Sequence, residues 1–180
     1  GKIVRAPRMD ENLRYAPDYR SPQVQTFFSY EREGSLQQAV EMCSGVGHCR
    51  KKMVGTMCPS YMATLEEEHS TRGRANALRA ALSGRLDGEG LRSKQLFEVM
   101  DLCLECKACK GECPSNVDMA KLKYEFLSHY HQARGTPLRA RLFAYVAKLS
   151  RAGAMVAPFA NWVQELPFVL TEIRDPDPIP

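Results

Sequence analysis

Four of the seven cysteines in this 180-residue chain, Cys103, Cys106, Cys109 and Cys113, fall in the run C-L-E-C-K-A-C-K-G-E-C-P. The spacing C-x2-C-x2-C-x3-C-P is that of thiolates around cubane iron–sulfur clusters: three sulfurs hold one cluster and the fourth, before proline, reaches a different one. Such a motif demands a second cysteine group. Cys43, Cys49 and Cys58 supply it, the last again followed by proline, Pro59. The crossed rule predicts one [4Fe–4S] cluster on Cys103, Cys106, Cys109 and Cys58, and a second cluster on Cys43, Cys49 and Cys113. All seven thiols are then used, and the chemistry expected is electron transfer.

The second set departs from the pattern. In Cys43-Ser-Gly-Val46-Gly-His-Cys49 the middle ligand position holds Val46, which cannot bind iron, and Cys49 lies further from Cys58 than the strong motif would place it. Ligand counting therefore leaves two expectations, a [3Fe–4S] cluster or a labile [4Fe–4S] cluster whose last iron is capped by His48 or by solvent. His48 is otherwise a loop histidine that hydrogen-bonds the site. Zinc also accepts four thiolates, but its sites usually come as two separated C-x2-C pairs. Gly45, Gly47 and Gly55 allow tight turns with amides aimed at sulfur, or simple loop flexibility. Arg72, Arg74, Lys107 and Lys110 could flank the clusters, although an ordinary solvated helix face is the expectation for any one of them. His69, His129 and His131 fit surface positions. No Ser-His-Asp order, phosphate-binding glycine loop or HExxH occurs, so no catalytic residue is assigned.

The elements that must position these thiols read as helices. Residues 1–34, with Pro7, Pro17 and Pro22 and no helical period, read as an extended arm anchored by Tyr15, Tyr19, Phe27, Phe28 and Tyr30. Ser35 and Gln38 form a candidate capping box leading towards Cys43. A helical start is expected at Thr64–Glu67 and a helix over Thr71–Ser83 that stops at Gly84. Ser93 caps a helix delivering Cys103, and Val117–Ala133 is a long helix ended by Gly135. Pro137 opens a helix to Arg151, residues 154–166 suggest a last one, and Arg174–Pro180 read as a non-helical tail. No strand pattern appears. The fold class expected is all-α with two cysteine-bearing loops, organised as an arm (1–34), a two-cluster domain (35–135) and C-terminal helices with a tail (136–180).

The net charge of +4 is modest, and no basic helix with interleaved aromatics argues for nucleic acid. No apolar h-region opens the chain and no run is long enough to span a bilayer. Clustered rather than scattered cysteines suggest metal ligation in a reducing compartment, here the cytoplasm or the inner face of its membrane.

The stretches MCSGVGHCRKKMVGTMCPSYMATLEEEHSTRGRANALR and DLCLECKACKGECPSNVDMAKLK resemble the iron–sulfur segment of large fused FAD-linked oxidases of the D-2-hydroxyacid dehydrogenase type, acting on D-lactate, D-2-hydroxyglutarate or glycolate. The likeness runs from the arm to about residue 165. It implies an α-helical ferredoxin fold and ligand roles for all seven cysteines. It also implies an FAD domain and a downstream cysteine-rich domain in the same polypeptide, neither of them in this chain. Electrons would pass from flavin through the clusters to a quinone or other carrier, with peripheral membrane association compatible with that role. The alternative is a metal-stapled interaction module without redox turnover.

Overall fold

The computed structural model describes residues 6–13, 15, 17–20 and 22–164. Eight α-helices and three 3-10 turns make up the described chain, with no strand among the described residues. It is all-α. The chain divides after Gly135 into two compact units.

In the first unit, α1 (Leu36–Glu41) starts where expected: Ser35 is the N-cap and its hydroxyl accepts from the Gln38 amide at 3.1 Å. The next helix differs from expectation. α2 spans Pro59–Thr64, so the segment from Thr64 to Glu67 ends a helix instead of starting one. Pro59 takes the first helical position, where its missing N–H costs nothing. Thr64 closes the helix by donating to the Ser60 carbonyl, and Leu65 turns to φ 58°. α3 (Thr71–Leu82) is capped by Ser70 and ends before Gly84, and α4 (Lys94–Asp101) is capped by Ser93. α5 (Ala108–Glu112) is a five-residue helix inside the strong motif that the spacing did not announce. α6 (Met119–Arg134) runs from Asp118 to Gly135, whose φ of 82° suits a glycine.

α3 is the hub. It packs against α1, α4 and α6, and the core between them is built from Val40, Leu78, Leu96, Met100, Leu122 and Phe126, all nearly or fully buried. Burying each such side chain is worth about 1.5–3 kcal/mol, enough to fix the helix ends from which both cysteine loops depart.

The arm is held differently from expectation. Tyr30 is buried, and Tyr15 lies under the Arg79 and Arg85 guanidinium groups, but the Phe27 and Phe28 rings stay largely exposed. Their backbone amides do the anchoring: both donate to the fully buried Glu125 carboxylate, at 2.9 and 3.0 Å. His129 completes the carboxylate's shell at 2.9 Å. Glu125→Ala is expected to leave these amides without their acceptor, lower unfolding stability by about 2 kcal/mol and expose the arm to protease. Urea denaturation with limited proteolysis checks this; an unchanged midpoint and an uncut arm would refute it.

In the second unit the helix expected from Pro137 to Arg151 breaks earlier. Pro137 is an N-cap, α7 (Leu138–Ala144) ends at Tyr145, and α8 (Val146–Gln164) continues through Gly153 and Pro158. The expected end of the last helix at 166 and the tail at 174–180 lie outside the described residues.

Candidate metal centres

The strong motif leaves α4 at Leu102, and the Cys103 amide donates to the Met100 carbonyl at 3.0 Å. Glu105 and Lys107 both take left-handed backbone, φ 55° and 59°. These two reversals wrap the loop around a point and leave Cys106 exposed between them. α5 then carries Cys109 inward and ends on Cys113. Lys123 of α6, 7% exposed, clamps the loop: its ammonium donates to the Cys103 carbonyl at 2.7 Å and pairs with Glu105 at 3.1 Å. In the other loop, Gly47 at φ 78° opens a single 3-10 turn, His48–Arg50, that buries Cys49. Cys58 is buried at the head of α2.

Two clefts of about 720 and 550 Å³ lie along the arm and are lined by no cysteine. The thiols surround two much narrower cavities. One is lined by Cys58, Cys103, Cys106 and Cys109, with Thr71 and Arg74. The other is lined by Cys43, Cys49 and Cys113, with Val46, His48, Thr71 and Arg72. Each cavity thus takes one cysteine from the opposite loop. Two contacts tie the loops in the same crossed sense. Ser44 and Ser115 share a hydrogen bond of 3.0 Å, and Glu112 of α5 accepts from the Thr56 and Met57 amides just before Cys58, at 2.7 and 3.3 Å, and from the Thr56 hydroxyl.

The first turn of α3 stands between the cavities. The Arg72 amide donates to Cys49 Sγ at 3.3 Å, and its guanidinium bonds the Gly45 carbonyl and the Glu67 carboxylate. Arg74 is fully buried. Its guanidinium donates to Cys58 Sγ at 3.5 Å, Ser60 Oγ at 2.9 Å and the Val99 carbonyl at 3.1 Å. The expectation of a solvated face therefore fails for Arg74. It also fails for His69, which is buried and hydrogen-bonded to the Thr64 hydroxyl at 2.9 Å. Lys107 lines the first cavity, Lys110 is exposed, His129 is half-buried and His131 remains near the surface.

These neighbours set the thiols apart. Burial pushes Cys49, Cys103 and Cys109 up from their ordinary value. Burial acts the same way on Cys58, but the Ser60 hydroxyl and the Arg74 charge outweigh it and hold that thiol below its ordinary value. Negative charge on sulfur would be met by the Arg74 guanidinium at Cys58 and by an amide of the α3 N-terminus at Cys49.

The donor set fits clusters better than single ions. Four thiolates on one zinc, at about 2.3 Å each, would lie roughly 3.8 Å apart. Among the described residues, no three cysteine sulfurs lie mutually within 4.8 Å. Seven free thiols around two cavities match the larger span of iron–sulfur cages. Glu66, Glu68 and His69 do converge within that distance, but both carboxylates are exposed and the imidazole is engaged by Thr64.

Residues 42–118 match the model of the 4Fe-4S dicluster domain. The chain holds an iron–sulfur domain. Its relatives include a D-2-hydroxyglutarate dehydrogenase of Pseudomonas putida, 32% identical over 54% of this chain and 13% of that protein. The D-2-hydroxyglutarate dehydrogenase of Escherichia coli is 28% identical over 71% of this chain and 16% of that protein. A Bacillus subtilis protein named "Probable glycolate oxidase iron-sulfur subunit" is 31% identical over 50% and 20% respectively. The chain spans no more than a fifth of the length of these relatives. No solved structure matches it. The likeness supports an electron-transfer role for the iron–sulfur domain. No helix among the described residues is long and apolar enough to cross a membrane.

Sequence reasoning missed several parts of the site. Thr71, Ser60 and Glu112 carried no motif. Gly73 had a signal, a glycine inside a helix, that went unread: a Cβ there would sit 2.0 Å from the Glu67 carbonyl oxygen and 2.8 Å from Glu68 Cα. Gly73→Ala should therefore lose stability by about 1–3 kcal/mol through overpacking, despite alanine's better helix propensity. Thermal melts measure it, and a variant as stable as the parent would show that the Glu67–His69 turn yields freely.

Proposed function

We propose that this iron–sulfur domain relays electrons, one at a time, between a flavin domain that oxidises a D-2-hydroxy acid and a quinone or other carrier. In this reading Cys58, Cys103, Cys106 and Cys109 hold a [4Fe–4S] cluster. Cys43, Cys49 and Cys113 hold a second cluster, [3Fe–4S] or a labile [4Fe–4S] with His48 or solvent on its last iron. When bound, such clusters accept and donate single electrons at potentials set by ligands, hydrogen bonds and burial. The observation that carries the reading is the crossed lining of the two cavities, each closed by a cysteine from the far loop. Val46, 65% exposed at the rim, explains why the second cavity offers three thiols.

The protein's own residues do the rest. Arg74, the Arg72 amide and the α3 N-terminus offset the cage charge, Lys123 and Glu112 fix the loops, and the helical core keeps water from the buried sulfurs. The FAD domain and a cysteine-rich domain would belong to the same polypeptide, with the assembly in the cytoplasm or at the inner membrane face. The competing reading is a structural staple. Anaerobic reconstitution with iron and sulfide followed by an EPR-monitored redox titration separates them: two centres that change oxidation state in the physiological range support the relay, and redox-silent metal supports the staple.

A further inference from the structure

Thr71 is the one side chain of α3 that lines both cavities. It is 2% exposed, and its hydroxyl is buried without a hydrogen-bond partner. A threonine inside a helix can donate to the carbonyl three or four residues back, but Thr71 is the first residue of α3 and those carbonyls belong to the preceding 3-10 turn. That outlet is crowded here, because the Glu67 carbonyl already accepts from the Ser70 amide at 3.0 Å and the Ser70 hydroxyl at 2.7 Å. An unmade bond on a buried hydroxyl costs about 1–3 kcal/mol, a cost that an acceptor from outside the protein atoms would relieve.

Helix geometry explains how one residue reaches two sites. At about 100° per residue, Arg72 and Arg74 stand roughly 160° apart around the α3 axis with Thr71 between them. Arg72 meets the cavity of Cys49, Arg74 meets that of Cys58, and Gly73 falls on the opposite side against Glu67. The cysteines of both cavities line the space beside Thr71, and none of their sulfurs is a hydrogen-bond partner of its hydroxyl.

We propose that Thr71 is the shared wall of the two metal centres and a hydroxyl donor to their sulfur, so that one side chain tunes both potentials. This rests on the cluster reading above. Its hydroxyl carries a single proton, so the bond serves one cage at a time and its effect is divided between them. A donor to sulfur stabilises the more negative, reduced form and raises the potential. Thr71 acts through the ligands as a positioning residue and takes no part in bond making.

The test compares Thr71→Val, which keeps the shape, and Thr71→Ser, which keeps the hydroxyl, with the parent protein. All are reconstituted anaerobically and titrated with EPR detection. In Thr71→Val the oxidised-to-reduced ratio at fixed solution potential should rise about three- to tenfold summed over the two centres, tenfold being 59 mV for one electron. Thr71→Ser should follow the parent. Normal iron and sulfide in Thr71→Val with both ratios within about twofold of the parent would overturn the proposal. So would a shift seen in Thr71→Ser and absent from Thr71→Val. If Thr71→Val and Thr71→Ala both fail to load while Thr71→Ser loads, the hydroxyl is required and the proposal stands. If all three fail to load, neither the shape nor the hydroxyl alone suffices, the position serves assembly rather than potential, and the proposal falls. A parent protein without two redox-active centres would instead defeat the cluster reading itself, and the two failures are told apart by that control.

Discussion

Replacing Cys113 with serine is expected to empty the cavity of the other loop. Cys113 belongs by sequence to the strong motif, yet it lines the cavity with Cys43 and Cys49. Cys113→Ser should therefore lose the signal of that cluster and keep the one held with Cys103, Cys106 and Cys109. Cys58→Ser should do the converse, although Cys58 belongs by sequence to the weaker group and lines the cavity of the strong one. Cys113→Ser leaves two thiols and should remove that cluster's iron, whereas Cys58→Ser leaves three and should convert or lose the other cluster, so the two EPR spectra should change in complementary centres. Cys106→Ser serves as the reference for the first cluster, and under the proposed flavin relay it should stop acceptor reduction while substrate still reduces the flavin. If Cys113→Ser and Cys106→Ser lose the same signal, ligands follow the loops rather than crossing between them, and the interleaved arrangement is wrong.

Arg74→Met should have the next largest effect. The guanidinium is fully buried and its three hydrogen bonds go to Cys58 Sγ, Ser60 and the Val99 carbonyl. Methionine fills much of the same space but leaves a buried sulfur charge, a hydroxyl and a carbonyl without their donor. Removing one partner of a buried charged pair costs about 3–5 kcal/mol. The same loss of positive charge disfavours the reduced cage, and the potential of the cluster at Cys58 should fall by about 59 mV or more, a tenfold change in its redox ratio. Arg74→Lys retains the charge without the planar fork and should recover most of the potential but little of the stability. The cluster at Cys49, faced by Arg72, should shift much less. A potential unchanged in Arg74→Met, with normal iron content, would mean that the cage charge is neutralised elsewhere.

Much of this was legible in the residues alone because it depends on local chemistry. The caps at Ser35 and Ser93 and the glycine stops at Gly84 and Gly135 are decided by backbone groups a few residues away. Cysteine spacing is similarly local, since three thiols within seven residues can only converge on one point. What misled the reading was also local. Pro59 starts α2 where Thr64 seemed to, and α8 runs through Gly153 where a break seemed due. The arm shows the opposite limit: its aromatic rings suggested anchors, but the anchor for Phe27 and Phe28 is their amides on Glu125, nearly a hundred positions later.

By itself the sequence determined the all-α class, the seven thiols and the two Cys-Pro pairs that require a second site for every first one. Only the tertiary structure decided what surrounds them: that a guanidinium is buried at Cys58, that Glu112 clamps the approach to the opposite loop, and that Thr71 is held between two cavities with its hydroxyl unspent. The physical reason is sequence distance. A ligand motif is written in neighbouring residues, whereas the charge, hydrogen bonds and dryness that govern a metal's potential come from whichever helices the core happens to bring alongside.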